Sequence, residues 1–431
     1  MRGARLLEHV FGAIAVSAIG LASLTVCGAY HERVETDGVF ESARILPDAG
    51  GRIELVVTSV NSARRSALPN AALVGNIVNA LPQSARVLIM TNDRSAFTIA
   101  SNPAPERVEF IELPADNPIT IWPQDPFVVL RETDGTHRLH ASKDFDRAGD
   151  AMMAEEIGEA LGWPVSTSAM VFEGGNVIAD EKQVFIGENT VRYNAVTSGV
   201  ADVEVVKALE RELGRPVTVI GPSPQPVPHL DMMLTAVGAD VLVLADSGWG
   251  AEIAARELEA NPGSVEGFER NTVNEFFGHT EIRERVTPEG DVIEAPVLAG
   301  ATARAIEDSR RHAEYFDALA RTLQERGFEV RRVPFLQTWT NGDDVESPSE
   351  RPFRSVLDYP VLTYNNVLVE TRADRKFVYL PQYGLDALDR AARERWQTMG
   401  YDVIPIRGFT TSALYGGALR CSVKVLSRSG E

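Results

Sequence analysis

Four stretches of the chain carry the same punctuation: an apolar helical face, a glycine, and a strand that begins three residues later. Met153, Ile157 and Leu161 run into Gly162-Trp163-Pro164-Val165, and Val206, Leu209 and Leu213 into Gly214-Arg215-Pro216-Val217. Phe316, Leu319 and Leu323 lead to Gly327-Phe328-Glu329-Val330, and Leu388, Ala392 and Trp396 to Gly400-Tyr401-Asp402-Val403. Apolar residues three and four apart share one side of a helix, and glycine takes the left-handed conformation that ends it. A fifth copy lacks the glycine and passes through Val74, Ile77 and Leu81 to a strand from Arg86 to Met90. The pattern predicts an α/β fold built from about five similar units.

Polar motifs follow these units at comparable intervals. Trp122-Pro123-Gln124-Asp125 follows the first and Phe172-Glu173-Gly174-Gly175-Asn176 the second. Pro228-His229-Leu230-Asp231 follows the third, and Gly416-Gly417-Ala418-Leu419-Arg420-Cys421 the fifth. The fourth offers Trp339-Thr340-Asn341-Gly342-Asp343 and Tyr364-Asn365-Asn366. Units set around an axis would bring these loops to one end. The rhythm breaks at about 247–302, which reads as an insertion or lid. No interdomain linker is evident, so residues 52–431 are expected to form one catalytic domain behind a polar linker at 30–51.

The first 29 residues are of another kind. Arg2 and Arg5 precede an uncharged, mostly apolar run from Val10 to Val26, then Cys27, Gly28 and Ala29. That layout predicts an export signal cleaved after Ala29, and so a secreted or cell-envelope protein. A lipid-modified Cys27 or an uncleaved anchor are the alternatives. A formal net charge of −19 argues against nucleic acid or an anionic membrane surface as partner and favours cationic ligands.

Cys27 and Cys421 are the only cysteines. With Cys27 in or beside the signal, no internal disulfide is expected, and Cys421 is left as a lone thiol. The converging loops would surround it with Asp125, Glu173, Asp231 and His229. A metal site is disfavoured because no short Cys/His spacing is present. A Cys-His-acid amide hydrolase is a second possibility. The surplus of carboxylates suits a third, the grip of a planar cation through paired charge-assisted hydrogen bonds.

The ordered motifs W-x-Q-D, F-E-G-G-N, H-L-D and G-G-x-x-x-C resemble those of the guanidine-modifying enzymes of the pentein fold, from about Ile53 to the C-terminus. These comprise arginine, agmatine and protein-arginine deiminases and the amidinotransferases. The resemblance implies an α/β propeller of about five pseudo-symmetric ββαβ units around a central active site. Gln124 makes the first motif most similar to that of the protein-arginine deiminases. Carried across, Cys421 is the nucleophile, and Asp125 and Asp231 grip the guanidinium. His229 protonates the departing nitrogen and activates water, with Glu173 beside it. Trp122 stacks on the substrate stem.

The implied reaction converts arginine, peptide-bound or in a small guanidino compound, to citrulline and ammonia through a thiouronium intermediate. No cofactor or calcium requirement is expected. An amidinotransferase and a non-catalytic arginine-binding protein are the rival readings. Arg420 stands where many relatives carry histidine, and is expected to point away and pair with an acid at the surface. Asn176 and Asn365 are expected to be structural, and Trp339 and Asn341 to line the cleft.

Overall fold

The computed structural model describes residues 43–61, 67–95, 97, 107–221, 224–277, 284–286, 292–294, 299–339, 357 and 359–429. The expected export segment and Asn341 lie outside the described residues. The chain enters through β1 (Ala43–Ile45), β2 (Arg52–Val60), α1 (Ala67–Ala80), β3 (Arg86–Thr91) and β4 (Val108–Glu112). A repeating ββαβ unit then begins. Its first copy is β5 (Phe127–Glu132), β6 (His137–Ala141), α2 (Met153–Leu161) and β7 (Val165–Thr167). Within it β5 pairs antiparallel with β6, and β6 parallel with β7.

The second copy is β8 (Val177–Ala179), β9 (Val184–Gly187), α3 (Glu188–Ser198), α4 (Asp202–Leu213) and β10 (Val217–Ile220), paired in the same sense. The third holds β11 (Leu234–Gly238), β12 (Val241–Asp246), α5 (Ser247–Ala260), α6 (Pro262–Phe277) and the hairpin β13 (Glu284–Val286) and β14 (Val292–Glu294). It continues through α7 (Ala301–Glu325) to β15 (Glu329–Leu336), with β16 (Leu362–Thr363) on its edge. The fourth is β17 (Leu368–Arg372), β18 (Arg375–Gln382), α8 (Asp386–Thr398) and β19 (Tyr401–Arg407).

The fifth copy joins the two ends of the described chain. β20 (Val423–Ser429) pairs antiparallel with β2, and β2 parallel with β3 across α1. Each antiparallel pair can use a short turn, whereas each parallel step needs a crossover, which the helix supplies. The predicted caps close these helices. Gly162, Gly214, Gly327 and Gly400 all take positive φ, a conformation costly for a residue with a Cβ. Strands such as β2, β3 and β9 are buried along nearly their whole length, because helices or neighbouring sheets cover both faces.

Two stretches depart from the sequence reading. Residues 43–51, assigned there to a linker, are part of the body: β1 pairs with β5 and Asp48 accepts the Ala179 amide at 2.8 Å. Within this stretch Asp48 forms an ion pair with the buried Arg420. Helix α5, at the head of the stretch read as an insertion or lid, is core. Ala251 and Ala254 are fully buried, and a Cβ on Gly250 would meet the Phe335 carbonyl oxygen at 2.1 Å. Asp246 caps the helix by accepting the Trp249 amide at 2.8 Å.

Candidate active site

The loops that carry the polar motifs end at equivalent places. Asp125, Asn366 and Cys421 each stand two residues before the first residue of their strand, β5, β17 and β20. Glu173 and His229 are likewise equivalent. Each is an extended residue at the head of a single 3₁₀ turn, Gly174–Asn176 and Leu230–Met232, that leads into β8 and β11. The repeat thus turns separations of tens to hundreds of residues into contacts.

His229 Nε2 lies 2.7 Å from Glu173 Oε2, and His229 Nδ1 lies 3.6 Å from Asp125 Oδ1. Gly175 makes room for the imidazole: a Cβ there would sit 2.4 Å from His229 Nδ1. Burial opposes charge on this ring, but Glu173 and Asp125, with hydrogen bonds to Cys421 and Glu173, outweigh it and hold His229 well above its ordinary value. Burial would raise Glu173, yet His229 and Arg147 pull it down to about 2. The resting pair is therefore imidazolium and carboxylate.

Cys421 is buried in an apolar cluster with Met232, Phe335 and Val361, against which Trp122 packs from a half-buried position. Its Sγ is 3.1 Å from Asn366 Nδ2 and 3.8 and 3.9 Å from the two Asp231 carboxylate oxygens. Burial and Asp231 push the thiol up to about 11, with His229 opposing them. Burial also lifts Asp231, against Arg420 and His229. A cation arriving between Asp125 and Asp231 would relieve both pressures and favour the thiolate.

Each of those two carboxylates is half committed. Arg147 Nη2 donates to Asp125 Oδ2 at 2.7 Å, and Arg420 Nη1 donates to Asp231 Oδ2 at 2.9 Å. Among the described residues Asp125 Oδ1 accepts no hydrogen bond and faces only His229 Nδ1 at 3.6 Å, and Asp231 Oδ1 meets only the Cys421 sulfur at 3.9 Å. Two oxygens are thus left for the N–H groups of a planar ligand near the thiol.

Arg420 corrects the sequence expectation. It is buried, not at the surface. Its Nε donates to Asp48 Oδ1 at 2.9 Å, and its remaining nitrogens to Asp231 and to the Gly174 and Val177 carbonyls. A buried guanidinium satisfied on all sides orients Asp231. Gln124 is buried too, and its amide donates to the Gly174 carbonyl at 3.0 Å. It ties two active-site loops together.

Sequence reasoning missed Arg147 and Asn366. Arg147 is held by Asp125, by Glu173 Oε1 at 3.4 Å and by Asp150 Oδ2 at 2.8 Å. Nothing in the run Asp144-Phe145-Asp146-Arg147 distinguishes it from an ordinary charged loop. Asn366 was within the fourth unit's polar motif, and its position before β17 was the signal. Asn176 and Asn365 tie backbone as expected. Asn176 Oδ1 accepts the Leu230 amide at 2.9 Å, and Asn365 Nδ2 donates to the Val243 carbonyl at 2.8 Å. Trp339 stacks on His312, with ring centres 4.0 Å apart.

Asp125, Glu173 and His229 also bring ligand atoms within 4.8 Å of one another, a set with the chemistry to hold a metal ion. Arg147 already stands between its two carboxylates and supplies the positive charge such an ion would bring.

No protein-family model and no curated protein matches the chain. Solved structures do. An agmatine deiminase from C. jejuni shares 11% identity over 90% of this chain and 96% of its own, with a TM-score of 0.56. The agmatine deiminase of Enterococcus faecalis shares 15% identity over 90% and 96%, with a TM-score of 0.58. A candidate peptidyl-arginine deiminase shares 14% over 89% and 98%, with a TM-score of 0.54. At these identities the likeness is one of fold. The chain shares the fold of these deiminases.

Proposed function

We propose that the chain is a deiminase that hydrolyses the guanidinium group of arginine, foremost in peptides, to citrulline and ammonia. On this reading the five units stand around a common axis as an α/β propeller, with the loops before β5, β8, β11, β17 and β20 at one end. The observation that carries it is a pair of carboxylate oxygens near the Cys421 thiol: Asp125 Oδ1, faced by His229 Nδ1 at 3.6 Å without a hydrogen bond, and Asp231 Oδ1, which meets only the sulfur. They suit N–H groups of a planar cation whose carbon faces the sulfur.

In this reading the bound cation lowers the thiol, which releases its proton to water. The thiolate attacks the guanidinium carbon to give a tetrahedral adduct. His229 passes its proton to one nitrogen, the C–N bond breaks and ammonia leaves a thiouronium on Cys421. His229, now neutral, takes a proton from water as the oxygen adds to the same carbon. The C–S bond then breaks, the hydroxyl proton returns to the Cys421 sulfur, and citrulline departs. Glu173 keeps the imidazole aligned and favours its protonated form.

The peptide-bound substrate is supported by the export signal expected at residues 1–29 and by the likeness of W-x-Q-D to protein-arginine deiminases. A secreted or cell-envelope site of action belongs to the same reading. Gln124 itself bonds Gly174 and does not argue through direct substrate contact. Small guanidino substrates form the second reading, favoured by the agmatine deiminases among the structural neighbours. Trp122, packed beside Cys421, is the surface on which either substrate stem would lie. Ammonia release from an arginyl peptide, free arginine and agmatine, side by side, decides between them. Labelled arginine incubated with and without glycine separates hydrolysis from amidine transfer, since only transfer labels the glycine.

A further inference from the structure

Beyond the thiol, β20 carries a second chemistry. Side chains two or four apart in a strand share a face. Arg420 just before the strand, and Lys424 and Arg428 within it, line a cavity of about 30 Å³ together with Asp48 and Gln124. Residues such as Val177 complete its wall.

Lys424 is the unusual member. It is 6% exposed, and its Nζ finds one acceptor, the Gln124 carbonyl at 3.5 Å, and the face of Phe127 at 5.5 Å. Among the described residues, no carboxylate lies within 4.0 Å of that nitrogen. Arg420 by contrast holds Asp48 and Asp231, and Arg428 donates to the Gly50, Val369 and Asp48 carbonyls at 3.0, 2.7 and 2.6 Å. The one carboxylate in the wall is already used: Asp48 accepts from Arg420 on Oδ1 and from the Ala179 amide on Oδ2. The cavity is therefore bordered by three cations and one carboxylate; the two guanidiniums are paired within the protein, and Lys424 Nζ is the donor left with one long contact. A buried ammonium with one long contact is unfavourable unless it deprotonates or gains a counter-ion. Burial and Arg420 push Lys424 down to about 7, with Asp48, Asp125 and Asp231 opposing them, so both outcomes are within reach near neutrality.

Room decides what that counter-ion can be. A single water needs roughly 10–15 Å³ of such a cavity, so about 30 Å³ has room for a small ion such as a halide. We propose that this cavity is a binding site for a small monovalent anion of halide size, held by Lys424 Nζ between Arg420 and Arg428. The site shares Arg420 and Gln124 with the loops around Cys421, but the inference stands whether or not the reaction assigned to that thiol holds.

The test uses the intact protein in potassium chloride or potassium gluconate at equal ionic strength and pH 7. Gluconate is a far bulkier anion than chloride. Chloride should raise Tm saturably in the unmodified protein, and Lys424→Met should abolish that response. Crystals of the unmodified protein soaked in bromide should show an anomalous peak beside Lys424 Nζ, a readout that does not depend on the variant folding. Equal Tm in the two salts, an unchanged chloride response in Lys424→Met, or a bromide-soaked cavity holding only water would each overturn the proposal.

Discussion

Asn366 holds Cys421 at two points: its Nδ2 lies 3.1 Å from Sγ, and its Oδ1 accepts the Cys421 main-chain N–H at 3.1 Å. One amide thereby sets both the backbone and the sulfur of the thiol that the proposed reaction needs. A donor aimed at sulfur favours the thiolate over the thiol. It offsets part of the effect of burial and Asp231, which hold the resting thiol up to about 11.

Replacing Asn366 by Ala should therefore lower kcat by about 10- to 100-fold, the cost of one hydrogen bond to a charged group. The same variant should move the pH dependence of Cys421 alkylation by iodoacetamide to higher pH. Loss of kcat without that movement would assign Asn366 a packing role only.

Arg147 joins three acids, of which Asp150 is fully buried and also binds the Thr120 amide and hydroxyl at 2.7 Å each. Arg147→Met leaves those carboxylates without their cation. Breaking a buried pair from one side costs about 3–5 kcal/mol. A urea titration at pH 7 should show that loss, with Arg147→Lys intermediate because it keeps the charge and forfeits the fork.

The His229–Glu173 pair gives stability a defined pH dependence. His229 is raised above its unfolded value of about 6.5, so its contribution is complete below that pH. The contribution is lost as pH rises through the folded value. Glu173 is depressed from 4.5 to about 2, so its contribution is complete above 4.5 and lost as pH falls toward 2. Urea midpoints of the unmodified protein should decline on both sides. His229→Gln should flatten the alkaline side, and Glu173→Gln the acid side.

Gly175 and Gly417 bound the site by what they lack. A Cβ on Gly175 would reach His229 Nδ1 at 2.4 Å, and one on Gly417 would reach the Trp122 ring at 2.4 Å. Gly175→Ala should displace the imidazole and reduce kcat by at least about 10-fold, as a misplaced general acid does. Circular dichroism should report an unchanged fold.

The repeat was legible because glycine caps and apolar helix faces are local signals. Of the predicted Gly-to-strand junctions, Val165 and Val217 open their strands, Val330 is the second residue of β15 and Val403 the third of β19. Asp125, Glu173, His229, Asp231 and Cys421 were legible as candidates because their polar motifs follow successive units at comparable intervals. The partners of those residues were not. Arg420 was expected at the surface, since sequence gives no hint that Asp48, some 370 residues away, meets its Nε. Arg147 and Lys424 have ordinary neighbours in the chain, and only the packing of other units makes them buried charges. The lid reading of α5 failed for a related reason. A charged, irregular sequence can still contribute one small-residue face, Gly250, Ala251 and Ala254, to the core.

The most direct test of the central claim is mass spectrometry of an arginine-containing peptide incubated with the unmodified protein and with Cys421→Ala. The account predicts that the unmodified protein replaces a guanidinium nitrogen by oxygen at arginine, with one ammonia released per event. It predicts that Cys421→Ala still binds the peptide but leaves its mass unchanged. Conversion at an undiminished rate by Cys421→Ala would contradict the assignment of Cys421 as the nucleophile.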